Sequence, residues 1–74
     1  MKGMFAEVRC TYFDDGLREW FIDGWKTDND NEEGVIVATI NEDTFEVNYR
    51  KAEYKKDPIV LEVVKDKLRE IVCS

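Results

Sequence analysis

The sequence predicts an α+β domain of ββββα order: a four-stranded antiparallel sheet built from two hairpins, with one C-terminal helix packed on one face. Three observations lead there. Residues 4–13 and 17–22 are apolar at alternate positions on either side of an Asp-Asp-Gly turn signal. Residues 35–40 and 45–50 repeat that alternation around Asn41-Glu42-Asp43-Thr44. Finally, Asp57-Pro58 opens a stretch to about Val72 whose apolar residues recur at helical spacing.

In the first hairpin, Ala6, Val8, Cys10 and Tyr12 fall on one side of "MFAEVRCTYF". A two-residue Asp15-Gly16 turn would set Cys10 opposite Phe21 and Val8 opposite Asp23. A three-residue Asp14-Asp15-Gly16 loop, with Gly16 left-handed, sets Cys10 opposite Trp20 and Val8 opposite Ile22. The second register makes one apolar face and is the expected one. In the second hairpin, a loop from Asn41 to Thr44 pairs Ile40 with Phe45, Ala38 with Val47 and Ile36 with Tyr49. Those six side chains then share a face, with Thr39 against Glu46 and Val37 against Asn48 on the other.

The segment "KAEYKKDP" reads as a connection. Asp57 is suited to cap a helix, and Pro58 to be its first residue, since a missing N–H costs nothing there. Val60, Leu61, Val64, Leu68, Ile71 and Val72 form the expected buried stripe, with Glu62, Asp66, Arg69 and Glu70 largely opposite. Ile59 and Val63 lie off it, at the sheet's edge or partly exposed.

Residues 1–74 suffice for one small domain near the lower size limit for a chain held by a hydrophobic core alone. The apolar content of 43% argues against intrinsic disorder. No run approaches the ~20 apolar residues of a membrane span, and Glu7 and Arg9 interrupt any signal-peptide core. The expected location is cytoplasmic. In that reducing setting Cys10 and Cys73 are expected to be buried thiols.

Charge is unevenly distributed. Residues 14–33 hold eight acids against Arg18 and Lys26, a net −6; residues 50–74 hold seven bases against five acids, a net +2. The total of −6 works against direct binding of nucleic acid, which needs a concentrated positive field.

Catalytic equipment is sparse. The chain has no His, its single Ser is Ser74, and it has no glycine-rich phosphate loop. No His can activate Cys10 or Cys73, and Asp14-Asp15 is unremarkable among seventeen acids. A non-enzyme is expected, with no cofactor and no small-molecule substrate. In the acidic stretch "TDNDNEEG", an EF-hand loop starting at Asp28 would need Gly at its sixth position and Glu at its twelfth. Glu33 and Thr39 stand there instead. Asp28, Asp30, Glu32 and Glu33 therefore read as a solvated acidic cluster between hairpins, with no dedicated metal site and at most weak cation binding.

The aromatic residues carry the positive expectation. In the preferred register Phe5, Phe13, Leu17 and Phe21 fall on the face away from the helix, beside Arg9, and a sheet covered on one side only should not leave them wet. The expected function is a small non-catalytic protein–protein interaction or accessory protein. It would dock a partner protein or a second copy of itself through Phe5, Arg9, Phe13, Leu17 and Phe21. An acidic nucleic-acid mimic that blocks a partner's basic groove is the alternative.

Overall fold

A computed structural model of the chain describes residues 4–26 and 34–73. Its elements are strands β1 (Glu7–Asp14), β2 (Glu19–Trp25), β3 (Val35–Asn41) and β4 (Val47–Tyr49), a 3-10 turn (Ala52–Lys56) and helix α1 (Pro58–Cys73). The strands pair antiparallel in chain order, and α1 crosses one face, touching β1, β2 and β3. This is the expected ββββα architecture.

The first hairpin differs in register. Cys10 pairs with Ile22 and Val8 with Gly24, not with Trp20 and Ile22. Thr11 is then an extra residue, after which Tyr12 pairs with Phe21, Phe13 with Trp20 and Asp14 with Glu19. The turn is also longer than expected, and Arg18 (φ 58°), not Gly16, takes the left-handed conformation. Asp14 explains why. Its Oδ1 accepts the Leu17 N–H at 3.0 Å and its backbone oxygen accepts the Arg18 N–H at 2.7 Å. An Asp side chain that bonds its own turn makes a glycine unnecessary.

The second hairpin is shifted by two residues. Ile40 pairs with Val47 and Ala38 with Tyr49, which keeps these side chains on the expected face. Phe45 is left in the loop at φ 64°, exposed. Asn41 organises this loop, its Oδ1 accepting the Asp43 and Thr44 N–H groups at 2.8 and 2.9 Å. A second irregularity, between β2 and β3, pairs Ile22 with Ala38 but Asp23 with Ile36, leaving Val37 as the extra residue. Val37 and Ala38 can therefore both be fully buried, and Ile36 moves to the face away from the helix.

The core consists of Phe5, Val8, Ile22, Val37, Ala38, Ile40, Tyr54, Val60 and Val64. Gly24 is needed for it. The Phe5 ring lies so close to the strand that a Cβ on Gly24 would come within 2.8 Å of it. Phe5 meets Tyr54 edge-on at 5.3 Å. On α1 the inward residues are Ile59, Val60, Val63, Val64, Lys67, Leu68 and Ile71, with Ile59 and Val63 partly buried against the core. Val63 thus replaces Leu61, and Val72 is exposed. Lys67 was not expected on that stripe. Its ammonium sits 3.6 Å from the centroid of the Trp20 ring while its stem stays largely shielded.

Asp57 starts the helix as expected and reaches further. Its Oδ1 accepts the Ile59 and Val60 N–H groups, at 2.9 and 3.4 Å, and its Oδ2 accepts the Met4 N–H. It is only 3% exposed. Asp57→Ala should lower stability by more than a simple cap loss of about 0.5–2 kcal/mol, because the Met4 N–H also loses its acceptor. Urea unfolding measures this. A loss under about 0.5 kcal/mol would show that the link to Met4 contributes nothing.

Candidate functional site

The face of the sheet away from α1 is ordered in rows set by the register. Glu7 and Trp25 form one row; Arg9, Asp23 and Ile36 the next; Tyr12, Phe21, Thr39 and Asn48 the third. Tyr12 is 56% exposed, while Phe21, Trp25 and Ile36 are half-buried. No helix of the described residues lies over them.

Two small stacks give this face its relief. The Trp25 ring rests on Gly34, where a Cβ would come within 2.6 Å of it. The Arg9 guanidinium covers that same ring, 4.8 Å from its centroid, and pairs with Glu7. Beside this stack, Tyr12 meets Phe21 edge-on, with centroids 5.7 Å apart and planes at 67°. Asp23 lies between the two stacks, and its Oδ1 is shielded from solvent and accepts no hydrogen bond from the described residues. A shielded, unmet carboxylate oxygen calls for a donor.

The residues expected to form one surface are divided among four places. Phe21 and Arg9 are on the helix-free face. Phe13 is not, because the extra residue Thr11 turns it to the helix side, against Trp20 at 4.6 Å. Phe5 is in the core at 3% exposure, held over Gly24. Leu17 is 58% exposed in the first turn, outside the sheet. Tyr12 and Trp25 take their places on the open face. Period-2 alternation could not have found Tyr12, since the inserted Thr11 reverses the parity beyond it; Trp25 keeps the parity of Phe21 and was missed because the strand was expected to end at Ile22.

The acidic cluster Asp28, Asp30, Glu32 and Glu33 lies outside the described residues. Within them, no three His, Cys, Asp or Glu side chains are grouped to hold a metal ion. Likewise, no helix among them is long and apolar enough to cross a membrane.

The two thiols differ from the expectation of a buried pair. Both are free; Cys10 is half-buried beneath α1, whereas Cys73 is exposed at the helix end. Burial pushes the Cys10 thiol up, only partly opposed by the nearby Lys67 ammonium. Cys73 should therefore react with a disulfide reagent at neutral pH well before Cys10, whose rate should keep climbing into strongly alkaline solution. The stability linked to neutral Cys10 is present below the unfolded thiol's pKa and is lost as pH rises through the raised folded one. Equal rates for both thiols at neutral pH would contradict this placement.

No family model matches the chain, and no curated protein or solved structure matches it at a significant level.

Proposed function

We propose that this protein is a non-catalytic interaction protein that associates with a second copy of itself through the helix-free face of its sheet. The observation that carries this reading is the uncovered set of Tyr12, Phe21, Trp25 and Ile36 around Asp23. Burying one large apolar side chain contributes roughly 1.5–3 kcal/mol, so a second layer on this face has a substantial driving force. Tyr and Trp with Arg are also the residue types that dominate interface energetics.

Self-association is favoured over a foreign partner by the charges. Arg9 and Asp23 are cross-strand neighbours on this face. In an isologous packing each residue's contact is repeated by the two-fold axis, so Arg9 of one copy can meet Asp23 of the other twice over. That would supply the donor that the shielded Asp23 Oδ1 lacks. The aromatic groups provide the dry centre and the charges set the register.

Phe21→Glu should weaken self-association at least about thirtyfold, the effect of an interface residue contributing about 2 kcal/mol, while the monomer keeps its fold by circular dichroism. Arg9→Asp and Asp23→Arg should each weaken it, and mixing the two variants should recover much of the loss. Sedimentation equilibrium reads all three. A wild-type protein that stays monomeric at submillimolar concentration would overturn the reading.

A further inference from the structure

A second surface, which meets the open face at Gly34 and Ile36, lies along the outer edge of β3. The strand β4 pairs with β3 only from Ala38 to Ile40. Arg50 adds one bond, its N–H to the Val37 oxygen at 2.9 Å, before the chain turns into the 3-10 segment. From Gly34 to Ile36, β3 has no strand partner on that side among the described residues. A cleft of about 510 Å³ follows the gap, lined by Gly34, Val35, Ile36, Arg50, Lys51 and Tyr54. Its size is in the range of ligand sites.

The charge there is opposite to that of the molecule. Residues 50–56 carry Arg50, Lys51, Lys55 and Lys56 against Glu53, a net +3 in a chain of −6. None of these four bases is in an ion pair among the described residues; the pairs use Arg9, Arg18, Lys67 and Arg69. Among the described residues no acid lines the cleft. Lys51 instead lies 6.0 Å from the Tyr54 ring centroid, and Lys55 5.8 Å from that of Tyr49.

The contrast with the other sheet edge is informative. Edge strands are commonly blunted by bulges and charges, and β1 has both, in the irregularity at Thr11 and in Glu7 and Arg9. The β3 gap carries no charged side chain of its own, and the extra residue Val37 lies just beyond it. It offers glycine and two β-branched residues beside cations that have no ion-pair partner among the described residues. We propose that this edge takes an extended acidic peptide segment, which adds as a short strand to Gly34–Ile36 and directs carboxylates toward Arg50 and Lys51. A free anion would use the cations and leave the backbone edge unmet. A neutral strand would do the reverse. An acidic strand uses both, main-chain bonds for affinity and side chains for selectivity.

The test uses a fluorescein-labelled short peptide of alternating Glu and Val, titrated with the full chain and read by anisotropy. Binding is expected, with the wild-type amide signals of Val35, Ile36, Arg50 and Lys51 moving in a heteronuclear NMR titration. The double variant Arg50→Glu/Lys51→Glu, at two exposed positions, should weaken it at least about tenfold, as reversal of opposed charges at an interface does. A Lys/Val peptide should not bind, nor should an Glu/Val analogue N-methylated along one edge. The proposal is overturned if the Glu/Val peptide fails to bind or if the amide shifts fall elsewhere. It is also overturned if the N-methylated analogue binds equally well, or if millimolar phosphate displaces the peptide, since charge alone would then explain the cleft. Because the wild-type shifts decide the location, the outcome does not depend on the variant folding.

Discussion

The carboxylate of Asp57 ties the first turn of α1 to the N-terminal segment at Met4. It takes two N–H groups from the first turn of α1 and one from Met4, which precedes it by 53 residues. Its own N–H donates to the Tyr54 oxygen at 3.2 Å, and its carbonyl accepts the Leu61 N–H at 3.0 Å. A shielded carboxylate is costly unless its oxygens are bonded, and here each of them is. No cation is needed, since the helix N-terminus supplies exposed N–H groups and a partial positive charge. Pinning Met4 places Phe5 against Gly24 and Tyr54, and starting α1 at Pro58 places Val60 fully inside. Both ends of the core are thus set from one side chain.

A second constraint comes from the hairpin tips. Arg18 holds a left-handed backbone conformation in the first turn, and its carbonyl accepts the Glu42 N–H at 2.9 Å from the second. Its guanidinium reaches Glu42 at 3.2 Å and Asp43 at 3.5 Å, and lies 5.5 Å from the Phe13 ring centroid. Asp43 accounts for most of the upward push on the already high Arg18 pKa. Exposed ion pairs of this kind contribute little individually. The backbone bond between the turns is the firmer link, because it holds β2 and β3 in register near Trp20 and Ile40. There Lys67 closes the helix side over Trp20, so the far end of the core is sealed by a cation on an aromatic ring and not by another aliphatic residue.

These constraints explain why an open face and an open edge remain on so small a domain. One helix can cover only one face of a four-stranded sheet, and the 3-10 segment closes that same side through Tyr54. The other face keeps its aromatic groups and the unmet Asp23 oxygen. A three-residue β4 cannot pair the whole of β3. The open face and the open edge are therefore two consequences of the same shortage of covering structure. Charge separates them chemically: the face holds both signs close together, whereas the charged residues that line the edge, among those described, are the bases Arg50 and Lys51.

Local chemistry made much of the fold legible. Alternation marked the strands, Asp57-Pro58 marked the helix start, and Asn41 to Thr44 marked the second turn, each a property of a few neighbouring residues. The helix stripe was legible at Val60, Val64, Leu68 and Ile71. It failed at Lys67, because a charged residue is read as exposed unless a ring such as Trp20 is known to lie beneath it. The candidate site was legible only in part. Arg9 and Phe21 were placed on the open face, but Phe13 and Phe5 were not on it, and Tyr12 and Trp25 went unnoticed. For Phe13 and Tyr12 the reason is parity, whereas Phe5 precedes β1 and Trp25 lies beyond the expected end of the second strand. Thr11 and Val37 are each one residue too many for their partner strands, and nothing in their own side chains announces it. Contacts between distant segments accompany those bulges, Phe5 over Gly24 and Trp20 between Phe13 and Lys67, and Val37 and Ala38 are both taken into the core. The sequence by itself determined which segments are strands and which is helix; which side chains face water was decided only when those segments packed, because an inserted residue changes sides for everything that follows it.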